Sequence, residues 1–277
     1  MTGRPVLLTS YADGVRTLTL NRPHRKNAID AELWDALRTE LSAAGSDRTV
    51  RALVLTGAGD AFCSGADIRN GVSGEHPLYR MRTLNDVTLL LHELPIPTIA
   101  KVDGVAVGAG WNLALGCDLV VATPDSTFSQ IFARRALSLD CGGSWLLPRL
   151  VGLQQAKRLV LLAETIGAAE AHSQNLVTWV VDAATIDAFV GGLAARLVAG
   201  APVALAQNKA LLHENADRTL REALAGEARA QAVNFATADI PEAYAAFTEK
   251  RPAHYTGRWA VPGTAPRATA PTATEDS

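Results

Sequence analysis

Two stretches decide how this chain reads: Ala61-Phe62-Cys63-Ser64-Gly65-Ala66-Asp67-Ile68 and Gly104-Val105-Ala106-Val107-Gly108-Ala109-Gly110. Each follows an apolar, strand-like run, Leu53-Val54-Leu55 before the first and Ile99-Ala100-Lys101-Val102 before the second. Each ends in small residues that leave backbone N–H groups open to a ligand. Two such turns facing one another present two N–H donors to one oxygen, the arrangement of an oxyanion hole. Strand, small-residue turn and helix in that order also aim a helix N-terminus at the same oxygen.

Working outward, Val6-Leu7-Leu8 and Val15 to Leu20 flank Asp13-Gly14, a hairpin signal. The second run alternates, with Val15, Thr17 and Thr19 on one face and Arg16, Leu18 and Leu20 on the other. Asp30 is placed to cap a helix striped by Leu33, Leu37 and Leu41 and ending near Gly45. Arg51 to Thr56 reads as a buried strand. Glu75 to Glu93 reads as a helix carrying Leu84, Val87, Leu90 and Leu91, stopped by Pro95 and Pro97 before a strand around Ile99. Trp111 to Leu115 fits a short buried helix and Leu119-Val120-Val121 a strand. Gln154 to Ala163 and Ala168 to Gln174 are expected helices, and Leu176 to Val181 a strand. From about Ile186 the pattern is helical only, with breaks expected near Pro202 and Pro241. Strands alternating with helices, then helices alone, give an α/β class with a C-terminal helical subdomain. The expected division is 1–195 for the core, 196–260 for the helices and 261–277 for a disordered tail of Pro, Thr and Ala without periodicity.

At 277 residues, 48% hydrophobic and 19% charged, the chain is long enough for one large domain or two small ones. A net charge of −2 argues against nucleic-acid or polybasic membrane partners. The three cysteines, Cys63, Cys117 and Cys141, form no C-x-x-C pair, which fits a reducing, cytoplasmic setting. The histidines are scattered, without an i, i+4 pair, so no metal site is expected. No apolar run reaches the roughly 18–20 residues that crossing a bilayer needs.

Across roughly residues 10 to 255 the chain resembles the crotonase (enoyl-CoA hydratase/isomerase) superfamily. Leu20-Asn21-Arg22-Pro23 with Asn27-Ala28 looks like its opening strand and turn. Ser64 to Ile68 matches the segment that supplies the first oxyanion donor, the N–H of Ala66. Gly104 to Asp118 matches the second, with Ala109 where the donor position is usually glycine. Phe128-Ser129-Gln130, Gly142-Gly143-Ser144 through Gly152, and Phe247-x-Glu249-Lys250-Arg251 continue the match. The resemblance implies an α/β spiral of β-β-α repeats whose C-terminal helices build a homotrimer or a dimer of trimers. It implies an acyl-CoA thioester as substrate, stabilised as an enolate, with no metal or redox cofactor. The implied coenzyme A contacts are Arg25, Lys26, Ser64, Ala66, Asp67 and Ile68. The implied pocket walls are Trp111, Asn112, Phe132 and Trp145.

The departures from the family pattern carry as much information. The two glutamates with which family hydratases activate water fall at Asn112 and Phe132, and neither residue titrates usefully. Asp140 stands where ordinary hydratases have glycine and where dienoyl-CoA and ring-opening phenylacetyl-CoA isomerases place an aspartate base. Two readings of Asp140 follow: a proton-carrying base, or merely the N-cap of the helix opening at Gly142-Gly143. Ordinary roles are also open elsewhere. Asp67 can be a turn residue, Asn112 a buried hydrogen-bonded amide, and Arg25 and Lys26 solvated loop charges. Lys250 and Arg251 can be a helix-end charge pair, and the cysteines small core residues. The leading expectation is double-bond isomerisation on an acyl-CoA with Ala66, Ala109 and Asp140 as the working groups. The alternatives are an ordinary enoyl-CoA hydratase or a non-catalytic acyl-CoA binder.

Overall fold

The computed structural model describes residues 4–69 and 76–260. The chain opens with the expected hairpin, β1 (Leu7–Ala12) antiparallel to β2 (Val15–Leu20), turning at Asp13-Gly14. Leu18 and Leu20 are fully buried, as the alternation requires. Helix α1 (Ala31–Ser46) starts where the Asp30 carboxylate accepts from the Leu33 N–H at 3.0 Å. That cap is worth about 1 kcal/mol. Its buried stripe is Leu33, Trp34, Leu37, Leu41 and Ala44. Each large apolar side chain so buried contributes about 1.5–3 kcal/mol.

Three β-β-α turns follow. The first is β3 (Ala52–Gly57), β4 (Ala61–Cys63) and α2 (Pro77–His92). The second is β5 (Thr98–Val102), β6 (Val105–Val107) and α3 (Ala109–Leu115). The third is β7 (Leu119–Ala122), β8 (Thr127–Ser129) and α4 (Gly143–Leu162). The expected start of α2 at Glu75 lies outside the described residues. Strand β9 (Thr165–Gly167), helix α5 (Ala168–Ser173), strand β10 (Trp179–Val180) and helix α6 (Ile186–Val198) complete the first part of the chain. The expected strand at Leu176 to Val181 shrinks to the two residues of β10.

Each repeat sends its first strand to one sheet and its second to another. The large sheet has six strands in the order β1-β2-β3-β5-β7-β10. Within it, β2, β3, β5, β7 and β10 run parallel. The small sheet has four strands in the order β4-β6-β8-β9, with β4, β6 and β8 parallel and β9 antiparallel. The main core gathers Phe62, Trp111, Phe128 and the α1 stripe on one side of the large sheet. On its other side Val54, Ile99 and Val121 pack with Ile186, Val190, Leu193 and Ala194 of α6. Because α6 belongs to this sheet, the first compact unit runs to Gly200. An expected boundary at 195 cuts through the helix instead.

The second unit, residues 201–277, is helical in its described part: α7 (Pro202–Glu214), α8 (Leu220–Phe235) and α9 (Asp239–Glu249). Pro202 opens α7 at its first residue, where no N–H is needed. Pro241, by contrast, does not mark a break. It sits in the first turn of α9, and the chain turns earlier, at Ala236–Ala238. A break at Thr219 was not expected from the prolines. There Thr219 and Glu222 form a reciprocal capping box. Lys250 is the left-handed C-cap of α9, and the Arg251 guanidinium meets both Glu242 carboxylate oxygens at 2.6 and 2.9 Å. These two charges therefore close a helix. The expected tail at 261–277 lies outside the described residues. Among those residues, no single helix is long and apolar enough to cross a membrane.

Candidate active site

Strands β4, β6 and β8 are parallel neighbours, so the segments that follow them leave the small sheet at one edge. This is where parallel α/β sheets present ligand sites. A cavity of about 240 Å³ lies there. Residues 64–69 after β4, Gly108 and Ala109 after β6, and Ile131 and Phe132 after β8 line it, with Arg25, Ala28, Arg135, Leu137 and Asp140. Eight of the twelve sequence-predicted site residues meet here: Arg25, Ser64, Ala66, Asp67, Ile68, Ala109, Phe132 and Asp140.

The turn at Ala66 is held by its neighbours. Ile29 N–H donates to the Gly65 carbonyl and Asp67 N–H donates to the Ile29 carbonyl, both at 2.8 Å. This parallel bridge turns the Ala66 N–H away from Ile29, and no described residue accepts from it. Arg22 ties the turn down, pairing with Asp67 at 3.1 Å and Asp30 at 2.9 Å and donating to the Ala28 carbonyl. Asn27, fully buried, donates to the Ala58 and Ala61 carbonyls and accepts from the Arg22 N–H. The Asp67 carboxylate is thus structural: its side chain is 6% exposed and paired with Arg22 and, at 3.4 Å, with Arg69.

Ala109 is the first residue of α3, so its N–H has no partner within the helix. Gly108 before it donates to the Ser129 carbonyl at 2.9 Å. The two turns abut: a Cβ built on Gly65 would stand 3.7 Å from the Ala109 nitrogen. Gly110 makes this approach possible. A Cβ there would lie 2.5 Å from the Cys63 carbonyl oxygen and 2.6 Å from its Cβ. Gly110→Ala should therefore destabilise the fold by about 1–3 kcal/mol, the usual cost of overpacking. Thermal denaturation checks this, and a melting temperature equal to wild type would show that α3 has slack against β4.

Asp140 precedes α4 but does not cap it. The N-cap is Gly142, with a left-handed φ of 75° and no side-chain hydrogen bond. The capping reading is set aside on that geometry. Instead one carboxyl oxygen, Oδ1, is buried without a partner. Burial pushes the Asp140 pKa up, and the Cys141 thiol and Arg80 pull it only partway back. Among the described residues lining the cavity, Asp67 and Asp140 are the two acids, and only Asp67 is ion-paired.

Four expected site residues lie elsewhere. Trp111 is fully buried and packs on Phe128, with ring centroids 5.4 Å apart, so it is core. Trp145 meets His92 edge to face and lies under Arg149 on α4. The Lys26 backbone, in a left-handed conformation, accepts from the Ser64 N–H, and its side chain does not line the cavity. Asn112 is a buried amide bonded to Gln130 and to the Asp140 backbone. Phe132 fills its expected place in the wall. Burial raises the Cys63 thiol to about 12, and burial with the neighbouring Asp140 charge holds the Cys141 thiol well above its ordinary value. The sequence reading missed Ile131, Arg135 and Leu137 in the wall. They follow the short β8, where no periodicity marks a turn.

The enoyl-CoA hydratase/isomerase family model matches residues 10–258. The chain belongs to the enoyl-CoA hydratase/isomerase family. It is 40% identical over 251 residues to a probable enoyl-CoA hydratase of Rhodobacter capsulatus, covering 89% of this chain and 96% of that one. It is 37% identical over 258 residues to the 1,2-epoxyphenylacetyl-CoA isomerase of Escherichia coli, covering 91% and 98%. The crystal structure of an enoyl-CoA hydratase from Bacillus anthracis superposes with a TM-score of 0.88 at 29% identity, covering 91% of this chain and all of that one. The α/β architecture expected from the sequence is that of this enoyl-CoA hydratase/isomerase fold.

Proposed function

We propose that the protein moves a double bond along the acyl group of a coenzyme A thioester, with Asp140 as the proton carrier. The observation behind this reading is the buried, unpartnered Asp140 Oδ1 on a cavity bordered by two N–H groups that have no described acceptor. The Ala66 and Ala109 N–H groups would receive the thioester oxygen. Ionised Asp140 would then remove the proton between the carbonyl and a 3,4 double bond. The electron pair spreads into an enolate whose oxygen rests on the two donors. Asp140 returns the proton to the far carbon, and the product is the conjugated 2-enoyl thioester. No water is consumed. A backbone donor pair of this kind is worth about 3 kcal/mol per donor.

Arg25, Arg69 and Arg135 at the cavity supply positive charge for the phosphates of coenzyme A. Ile68, Ile131, Phe132 and Leu137 give the acyl group an apolar wall that accepts an aliphatic or aromatic chain. Family likeness to the epoxyphenylacetyl-CoA isomerase favours including ring-bearing substrates in the test.

The test is incubation with 2-enoyl-, 3-enoyl- and aryl-CoA thioesters, with products resolved by mass and double-bond position. The expected product of a 3-enoyl-CoA has unchanged mass and a shifted double bond. Hydration of crotonyl-CoA should be slow, because Asn112 and Phe132 offer no second carboxylate to activate water. Hydration at ordinary enzyme rates of about 1–1000 per second would overturn the isomerase reading.

A further inference from the structure

We infer that Asn112 and Gln130 are positioning residues, which hold the Asp140 carboxyl at the cavity through its own backbone carbonyl. The inference rests on the proposed role of Asp140. Neither amide lines the cavity. Gln130 Nε2 donates to Asn112 Oδ1 at 2.8 Å, and Asn112 Nδ2 donates to the Asp140 carbonyl oxygen at 2.9 Å. The polarity of this chain has one solution. A carbonyl oxygen only accepts, so the Asn112 NH₂ must face Asp140; its oxygen then faces Gln130, which must present its own NH₂. The same carbonyl accepts from the Gly143 N–H at 2.9 Å, which closes the turn into α4.

Two features mark the pair as more than packing. First, Gln130 is fully buried and its Oε1 has no partner. An unpaired buried amide oxygen is costly, and a methionine would fill the space without that cost. Second, the site is built around the amide: a Cβ on Gly143 would fall 2.4 Å from Asn112 Nδ2. Asn112 also belongs to α3, whose first residue carries the Ala109 N–H. The helix that presents one donor therefore fixes the backbone of Asp140, and the separation of donor and proton carrier is set by one short helix. Gln130 leads into the turn that carries Phe132, so it ties the third wall to the same unit.

The experiment compares Asn112→Ala, Gln130→Met and Asp140→Asn with wild type on a 3-enoyl-CoA, reading kcat, KM and the pH dependence of kcat/KM. Calorimetric binding of acetoacetyl-CoA and the melting temperature verify that each variant is folded. Gln130→Met conserves volume and carries the test if Asn112→Ala does not fold. The expected result is a fall in kcat of about 100-fold, the usual effect of displacing a reacting group by about an ångström, with KM unchanged. The pH limit belonging to Asp140 should move to lower pH, since a carboxyl released towards water loses its desolvation. The titratable groups acting on it, Cys141 beside it and Arg80 on α2, are untouched by either substitution. Wild-type kcat and an unmoved limit in both amide variants, with Asp140→Asn inactive, would overturn the inference and leave the role of Asp140 standing. A rise in KM at constant kcat would overturn it too, by assigning the amides to binding. Full activity in Asp140→Asn would overturn both.

Discussion

Asp140→Asn should lower isomerisation of a 3-enoyl-CoA by about 100- to 10,000-fold, the range that a positioned acid–base group supplies. Asparagine keeps the shape of the side chain but cannot take a proton from carbon. Folding should be spared, because Gly142 and not Asp140 caps α4. The sign of the stability change follows from the raised pKa of the carboxyl. Below the unfolded-state pKa the group is protonated in both states and costs nothing. As pH rises, the unfolded chain releases its proton first, so the folded state loses stability, and the loss persists at neutral pH. The neutral asparagine escapes this loss. The variant should therefore melt at or slightly above wild type at pH 7, with the gap closing in acid. In the wild type, kcat/KM should rise with pH through a limb above the ordinary aspartate value, because the proposed base acts in its ionised form. An Asp140→Asn protein that isomerises at the wild-type rate would remove the residue from the mechanism and put the non-catalytic binder in front.

Ala109→Pro should lower kcat by about 100- to 1000-fold, the usual loss on removing one oxyanion donor. Proline is tolerated at the first residue of a helix, where its missing N–H breaks no helical bond. Gly108 in front of it has no Cβ to collide with the ring. Ala109→Gly is the control: it keeps the N–H and should keep the rate. Steady-state kinetics on a 3-enoyl-CoA, with free coenzyme A binding followed by calorimetry, separates lost chemistry from lost affinity. Unchanged kcat in the proline variant would show that the thioester oxygen rests elsewhere.

Long elements were legible in the sequence because their signals repeat. The stripe Leu33, Leu37, Leu41 names its helix, and the run Ala52–Leu55 names a strand buried on both faces. The small sheet was not legible as strands. β4, β6, β8 and β9 have three residues each, too few for any period to show. Their presence was felt only through the small-residue turns that follow them. The site divided along the same line. The unbonded N–H groups of Ala66 and Ala109, the proposed donors, were expected from turn composition and family likeness, which constrain the main chain. Trp111, Asn112 and Trp145 do not line the cavity, because wall and core differ by the direction of a side chain on α3 or α4, while the alternative reading of Asn112 as a buried hydrogen-bonded amide holds. Asp140 looked like a cap because acids precede helices so often. The left-handed Gly142 removes it from that position, and no local pattern announces such a kink.

The split between the two sheets has an evolutionary consequence. On the proposed reading peptide groups receive the thioester oxygen, and no codon change other than one to proline deletes a peptide N–H. The tuning residues, by contrast, are ordinary side chains on neighbouring segments: Phe132 on the third turn, Asn112 inside α3, Asp140 before α4. Mutation can rewrite these one at a time while carbonyl polarisation persists. On that reading a scaffold of this kind would keep a heritable floor of reactivity, from which its catalytic repertoire could drift without passing through an inert ancestor.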